Sequence, residues 1–467
     1  VPVVTDNLSN MLSWYGSVSY SYLNLFTLNA NMRYDGSNQF GERSNDKILP
    51  IWSVSFNYNI MEHFNRKQNW FDDLRLKMSY GYQGNMLDGQ SPVMIIAKQP
   101  EDDHFGEYVS TIKTFPNPFL KWEKTGSLNV GVEFSMFNRR LMVSGAYYRK
   151  KTKDAYMDKK ISETNGMNSY VVNGGEITNS GYDVSFTVTP VKTEDLRWHV
   201  STSFSHAYNE VNTSPAAEQF ELGDFLNGKA VVKGKSVSTF YSYKFTGLNP
   251  ENGMPMFDDM ENEQEKLYGL SKYEVFTRVL ESSGRREPKI FGGLNTTLNY
   301  KKWRLNASFS YSLGAKTRLF KLYNDNTGRF RPEDNLNRIL LNRWQHAGDE
   351  DYTDIPAMLP SGGILSHWST SLNGKMPVIA SSIWDMYNYS NIRVVSANYL
   401  KCTNLGLTYS VNTERWGISL LEVAASVTNP FIWCSSELKG QTPVQSGFTN
   451  IQLSERPTFT LSLNVTF

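Results

Sequence analysis

Apolar and polar residues alternate with a period of two along most of the chain. The clearest run sets Leu128, Val130, Val132, Phe134 and Met136 against Asn129, Gly131, Glu133 and Ser135. Leu74, Leu76, Met78, Tyr80 and Tyr82 alternate in the same way with Arg75, Lys77, Ser79, Gly81 and Gln83. Similar runs start at Trp52, Tyr182, Trp303 and Leu421. Strict alternation gives a strand one apolar and one polar face. Such segments begin near Met11, Leu25, Ile51, Asp73, Thr125, Arg140, Asn179, Arg197, Lys289, Trp303, Val394, Ser419 and Pro457. That makes about thirteen, most of them about 10–14 residues long, near the length a tilted strand needs to cross a bilayer.

The connections fall into two classes. Short ones lie at Tyr22–Asn24, Phe137–Arg139, Lys192–Asp195, Tyr300–Lys302 and Asn412–Arg415, with a slightly longer one over Glu62–Phe71. Long ones cover residues 36–49, 85–124, 152–178, 210–288, 319–390 and 431–455. Short and long alternate. This pattern predicts an all-β fold, a transmembrane antiparallel β-barrel with short periplasmic turns and long extracellular loops. The last strand carries Phe459, Leu461, Leu463, Val465 and Phe467 on one face. Thirteen is odd, whereas single-chain bacterial barrels have even strand numbers, so further strands are expected outside this chain. Two long loops carry local signals. Leu336, Ile339, Leu340 and Trp344 stand at helical spacing within Asp334–His346, and Tyr241–Phe257 reads as a hairpin turning at Asn252-Gly253.

Composition sharpens this picture. No run of about eighteen apolar residues occurs in the chain, so a helical membrane protein is excluded. The mean hydropathy of −0.45 is compatible with a barrel, because each strand is only half apolar. The net charge of +1 gives no argument for nucleic acid. There are 26 Tyr, 26 Phe and 11 Trp, and interface girdles account for that many rings. Trp14, Trp52, Trp198 and Trp303 stand at strand ends, where interface anchoring is the natural role. Val1–Asp6 shows no basic or apolar export region, so an exported chain is expected to be processed or truncated.

Candidate chemistry is sparse. There is no HExxH, GxSxG, Walker or GxGxxG pattern, which argues against an enzyme and gives no cofactor. The six histidines are scattered, and His199 and His206 fall on opposite faces of one strand, so no metal site is expected. The acidic run Asp258, Asp259, Glu261, Glu263 and Glu265 lacks calcium-loop spacing and reads as a solvated loop. Lys150, Lys151, Lys153, Lys159 and Lys160 stand at a strand top and in its loop; anionic outer-leaflet lipid is one partner, plain solvent the blander reading. Cys402 and Cys434 have no spacing that favours a bridge. The candidate ligand-binding residues are Trp368, Trp384, Tyr387 and Tyr389, loop aromatics suited to stacking on sugar rings or contacting a peptide. Packing of the loops on one another or on a partner is the alternative for the same rings.

Six motifs in order carry a family resemblance. They are Arg33–Gly41; Leu76–Gly81 with Gly84-Asn85; Asn117–Lys124; Tyr147–Thr152; Gly175–Tyr182; and Tyr399–Lys401 with Asn404–Tyr409. With these the chain resembles the C-terminal barrel part of the SusC/RagA family of TonB-dependent outer-membrane transporters of Bacteroidetes, over about residues 11–467. The resemblance implies a barrel of about 22 strands, of which residues 1–467 supply the later part. It also implies an N-terminal plug and TonB box that this chain does not show, a SusD-like surface lipoprotein as lid, the TonB complex as energy source, and oligosaccharides or peptides as substrate. Two other functions fit the strand pattern: a passive porin or structural outer-membrane barrel, and a soluble extracellular carbohydrate-binding β protein. A hydrolase is more distant.

Overall fold

The computed structural model describes the chain apart from residues 1–9, 38–47, 65–69, 87–92, 102–105, 163, 165, 167–168, 215–219, 324–334, 359–378, 380–381, 412–417, 445–454 and 467. Part of the first motif, the turn Asn412–Arg415 and Phe467 thus lie outside the described residues. Thirteen strands form an antiparallel sheet in which order along the chain is order in space. They are β1 (Met11–Tyr22), β2 (Phe26–Ser37), β3 (Ile48–Asn59), β4 (Phe71–Asn85), β5 (Glu123–Met136), β6 (Leu141–Lys160), β7 (Ser169–Lys192), β8 (Leu196–Val211), β9 (Ile290–Tyr300), β10 (Trp303–Leu313), β11 (Tyr399–Val411), β12 (Leu420–Cys434) and β13 (Thr458–Thr466). Each strand-like segment of the sequence is one of them. No described helix is long and apolar enough to cross a membrane. The chain packs as two compact units, residues 1–190 with 208–214 and residues 191–207 with 215–467.

In the first unit the registers carry the alternation from strand to strand. Ser19, Asn29, Ser55, Ser79 and Asn129 are successive cross-strand partners, and Tyr20, Leu28, Phe56, Met78 and Val130 form the adjacent row. Directly paired residues share a face and neighbours along a strand do not, so the two rows lie on opposite sides. The polar row is stitched by side chains: Ser19 Oγ donates to Asn29 Oδ1 at 2.7 Å, and Asn29 and Asn129 amides donate to Ser55 and Ser79 hydroxyls at 3.2 Å each. Leu23, Asn24 and Leu25 join β1 to β2; the Leu25 amide donates to the Tyr22 carbonyl at 2.8 Å, and Leu23 and Asn24 take the positive φ of 44° and 55° that a tight hairpin turn favours.

β6 and β7 run on together to the pair Lys160–Ser169, so most of the loop expected over 152–178 is paired strand. A bulge explains the correction. Asp154 takes φ 56° and the register shifts there, after which pairing resumes at Ala155–Gly175. The parity of the sequence pattern breaks at that point although the strand does not.

In the second unit Leu298, Leu305, Leu407, Ala425 and Leu461 form one row, and Thr297, Asn306, Gly406, Ser426 and Thr460 the row beside it. A Cβ at Gly406 would lie 2.6 Å from Asn306 Oδ1, so a larger residue there would have to push the Asn306 side chain aside. The dry core of this unit sits in the two long connections rather than on the strands. One cluster gathers Phe225, Tyr241, Tyr243, Val275 and Phe276, and another Tyr323, Leu340, Trp384 and Tyr387. The helix Lys272–Val279 feeds the first, begun by a capping box in which Ser271 accepts from the Glu274 amide. The hairpin expected over Tyr241–Phe257 is half right. Phe245–Leu248 pairs with Pro255–Phe257, but Thr239–Tyr243 pairs with Leu280–Arg285. The helix expected over Asp334–His346 is a single 3-10 turn at Arg338–Asn342, with Leu340 buried.

Candidate functional site

The strands leave their apolar face uncovered. Val18, Leu28, Phe56, Met78, Tyr147 and Phe186 lie on it, all exposed. Burying such a side chain contributes about 1.5–3 kcal/mol. Leaving even these six in water would forfeit an amount comparable with a soluble domain's whole stability, about 5–15 kcal/mol. The solvent of this face is therefore apolar, and the polar rows opposite face water. Aromatic rings mark the strand ends. Trp303 and Tyr409 pack at 4.6 Å between centroids beside the short turn after Tyr300, and Trp14 is 71% exposed near the other end of β1.

Two of the loop aromatics are framework residues. The helix Ile383–Asn388 is capped by Ser382, whose hydroxyl accepts from the Asp385 amide at 3.1 Å. It turns Trp384 and Tyr387, one turn apart, into the core, where they are 0% and 1% exposed. Trp384 packs on Tyr323 at 4.6 Å and Tyr387 meets the same ring at 5.8 Å. The Tyr323 hydroxyl donates to the Pro356 carbonyl at 2.9 Å. The expectation of stacking faces at Trp384 and Tyr387 is thus corrected by their burial, and loop packing, the alternative reading, describes them. Tyr389 is only partly buried. Its ring lies 5.1 Å from the Arg318 guanidinium and 4.9 Å from Lys321 Nζ, and its hydroxyl donates to Asn227 Oδ1 at 3.4 Å. Trp368 lies outside the described residues.

The sequence did not single out Arg318 and Arg393, both buried beneath these rings. Arg318 Nη2 donates to the Tyr241 carbonyl at 2.9 Å and to Ser242 Oγ at 3.2 Å, and Arg393 Nη2 donates to the Phe320 carbonyl. Neither has a carboxylate partner among the described residues. Among the described residues Arg318 Nε and Nη1 and Arg393 Nε have no hydrogen-bond partner. Burial lowers both guanidinium pKa values, that of Arg318 to about 10, which leaves Arg318 a cation at neutral pH. Burial pushes the Tyr387 phenol up to about 12, and raises Tyr243 and Tyr323 as well. Arg393 also lines a cavity of 630 Å³ whose wall is part apolar, with Leu319, Phe320 and Leu341, and part polar and cationic, with Arg338, Lys439 and Gln441, the polar part suited to carboxylate, phosphate or hydroxyl groups. No local motif could have revealed this pair, because the carbonyls to which Arg318 and Arg393 donate lie some seventy residues or more away in sequence.

Lysines pair with two of the five carboxylates in the acidic loop. Lys244 pairs with Asp258 at 2.6 Å, Lys266 pairs with Glu263 at 2.7 Å, and Asp259 accepts from the Glu261 amide at 3.1 Å. Among the described residues no group of His, Cys, Asp and Glu could hold a metal ion. Cys402 and Cys434 are both free thiols.

Comparison with known proteins agrees with this geometry. The family model for TonB dependent receptor-like β-barrels matches residues 3–466. TonB-dependent receptor P3 of Formosa agariphila is 26% identical over 75% of this chain and 36% of its own length. TonB-dependent receptor SusC of Bacteroides thetaiotaomicron is 26% identical over 98% of this chain and 44% of its own. The chain therefore spans less than half the length of these relatives. A chain in the solved structure of the RagAB peptide transporter superposes with a TM-score of 0.78 at 21% identity, covering 98% of this chain and 48% of that one, a likeness of fold. The uncovered apolar face, the hydrogen-bonded polar face and the match along nearly all of its length agree: the chain belongs to the TonB dependent receptor-like β-barrel family, and its strands are those of an outer-membrane barrel.

Proposed function

We propose that this chain is the barrel part of a TonB-dependent importer that moves oligosaccharides or peptides across the bacterial outer membrane. In this reading a SusD-like surface lipoprotein covers the loops. A plug and TonB box, in the part of the protein outside this chain, couple it to the TonB complex. One observation carries the reading: strands with a water-facing polar side are joined by long loops that have their own dry core. A passive pore has no need of so heavily built a loop layer, whereas a gated importer needs fixed walls around its cargo. The names of SusC and of the RagAB peptide transporter support the same class.

The roles of the loop residues follow from their burial. Trp384 and Tyr387 frame the loop layer. Tyr389 is the aromatic we assign to cargo contact, and the cavity beside Arg393 is suited to its polar groups. No catalytic step is assigned to the chain.

The experiment is uptake by cells that carry or lack the complete protein, given labelled oligosaccharide or peptide pools, with and without TonB. Uptake that needs both the protein and TonB, together with co-purification of a surface lipoprotein, is expected. Uptake that continues without TonB would replace this reading with the passive porin. Recovery of the intact protein in solution without detergent would replace it with the soluble β protein.

A further inference from the structure

We propose that Arg149, Lys151 and Lys153 bind the phosphate-bearing headgroup of an anionic lipid in the outer leaflet. The inference rests on the membrane-spanning sheet and is independent of transport. Register and parity carry it. Val143, Gly145 and Tyr147 of β6 pair with Phe134, Val132 and Val130 of β5 and with Phe186, Val184 and Tyr182 of β7, all on the apolar face. The same column of β6 continues as Arg149, Lys151 and Lys153, opposite Leu128, Gly126 and Lys124. The face that meets hydrocarbon thus passes through a pair of exposed tyrosines, Tyr147 and Tyr182, directly into exposed cations.

The spacing suits a headgroup. At about 3.4 Å per residue, Arg149 stands roughly 7 Å beyond Tyr147 along the strand and Lys153 roughly 20 Å beyond it. A tyrosine at the interface has an apolar body and a wet hydroxyl, so the layer just past it is where headgroup phosphates lie. The column ends at Lys153, because the bulge at Asp154 turns the following residues away. This end of the strands carries the long connections, which face outward in bacterial barrels.

One of the three cations already has a carboxylate beside it. Lys151 Nζ pairs with Glu176 at 2.8 Å, and Lys124 adds a further cation. Arg149 and Lys153 have no carboxylate partner among the described residues. Lys150, which lies between them in sequence, falls on the opposite face, opposite Ser127 and Asn179, with its ammonium 5.8 Å from the Tyr148 ring. A generic basic loop would show no such segregation by face.

The test uses the complete protein, purified, delipidated and checked for folding by its heat-modifiable gel mobility. Native mass spectrometry then reads occupancy by bisphosphorylated lipid A and by its dephosphorylated form. Arg149→Gln, Lys151→Gln and Lys153→Gln together are expected to lower affinity for the phosphorylated form by about tenfold or more. Lys150→Gln should leave it unchanged. Equal affinity in the triple variant, or an equal loss in Lys150→Gln, overturns the proposal. So does displacement of the lipid by millimolar inorganic phosphate, which would mark a site for free anions. If the triple variant does not fold, the single variants Arg149→Gln and Lys153→Gln are read in its place, and unchanged affinity in both overturns it.

Discussion

Asn173 and Lys121, fifty-two positions apart, hold each other as two paired strand residues would. The Lys121 amide donates to Asn173 Oδ1 at 3.0 Å, and Asn173 Nδ2 donates to the Lys121 carbonyl at 2.8 Å and to the Asp154 carbonyl at 2.8 Å. The Tyr156 hydroxyl donates to the same Lys121 carbonyl at 2.8 Å, and the Tyr156 amide donates to Glu123 Oε1 at 2.7 Å. One side-chain amide thereby fastens the segment before β5 to the bulged arm of β6 and β7. It sets the position of Leu120 and Trp122, buried at 1% and 3%.

Replacing Asn173 with Asp keeps the shape but turns two donors into an acceptor aimed at carbonyl oxygens. Buried polar groups left unpaired cost about 1–3 kcal/mol each. Asn173→Asp is expected to loosen residues 116–123 and the arm near Asp154 while the membrane strands persist. Faster amide exchange confined to these segments would be the readout. Unchanged exchange there would show that the pairing does not hold the arm.

The loop core of the second unit makes a separate prediction. Trp384 is wholly buried and meets the Tyr323 ring at a tilt of 34°, while the Asn388 side chain bridges the Leu322 amide at 3.0 Å and the Tyr323 carbonyl at 2.8 Å. Trp384→Ala removes the largest buried ring, a change that costs about 3–5 kcal/mol in a packed core. Trp384→Phe should retain most of the packing, and it also removes an indole Nε1 that has no hydrogen-bond partner. Limited proteolysis within residues 220–400 is expected to speed up in Trp384→Ala and change little in Trp384→Phe. The gel mobility of the folded barrel should be the same in both.

The same layer should come apart in alkali before the strands do. Tyrosine phenols in an unfolded chain titrate near 10. Burial holds Tyr387 at about 12 and raises Tyr243 and Tyr323 further in the same direction. A raised folded pKa contributes stability that is complete below the unfolded value and is lost as pH climbs through the folded one. Arg318 acts in the opposite sense. Its folded pKa of about 10 lies below the ordinary 12.5, so burial penalises its charged form and the penalty eases above pH 10. The three buried phenols all act in the direction that destabilises the loops as pH rises. Loss of near-UV circular dichroism from the loops between about pH 10 and 12 is expected, accompanied by tyrosinate absorbance. Loops that stay intact while the phenols ionise would contradict it.

The parts of this fold that were legible in the sequence are those where one local rule decides. Every sheet strand separates two solvents, so alternation survives from β1 to β13, and Leu128–Met136 could be placed from its own residues. The arm of β6 and β7 was hidden because Asp154 breaks the parity while the ladder continues. The loop layer was hidden for another reason. Thr239–Tyr243 takes its partner from Leu280–Arg285 rather than from the adjacent Asn252-Gly253 turn, and Trp384 takes its partner from Tyr323. A buried aromatic and an exposed one look alike in sequence when burial is decided by a segment sixty residues away. Arg318 and Arg393 escaped notice for the same reason.

Val130 and Asn129 give the most direct test of the membrane reading, because they are adjacent in β5 and face opposite ways. Val130 lies in the apolar row with Met78 and Tyr147, and Asn129 in the polar row with Ser79. An arginine on the lipid face costs about 2–4 kcal/mol at the bilayer middle and less toward the interface that Tyr147 marks, whereas a water-facing position accepts it at little cost. Val130→Arg should therefore lower the amount of folded complete protein recovered from outer membranes, and Asn129→Arg should not. Val130→Leu separates charge from size and should behave as wild type. Reversal of this order would put the apolar row on the inside of the barrel. Equal recovery of both arginine variants would mean that neither face meets lipid, and the uncovered apolar rows would then need a protein partner to cover them.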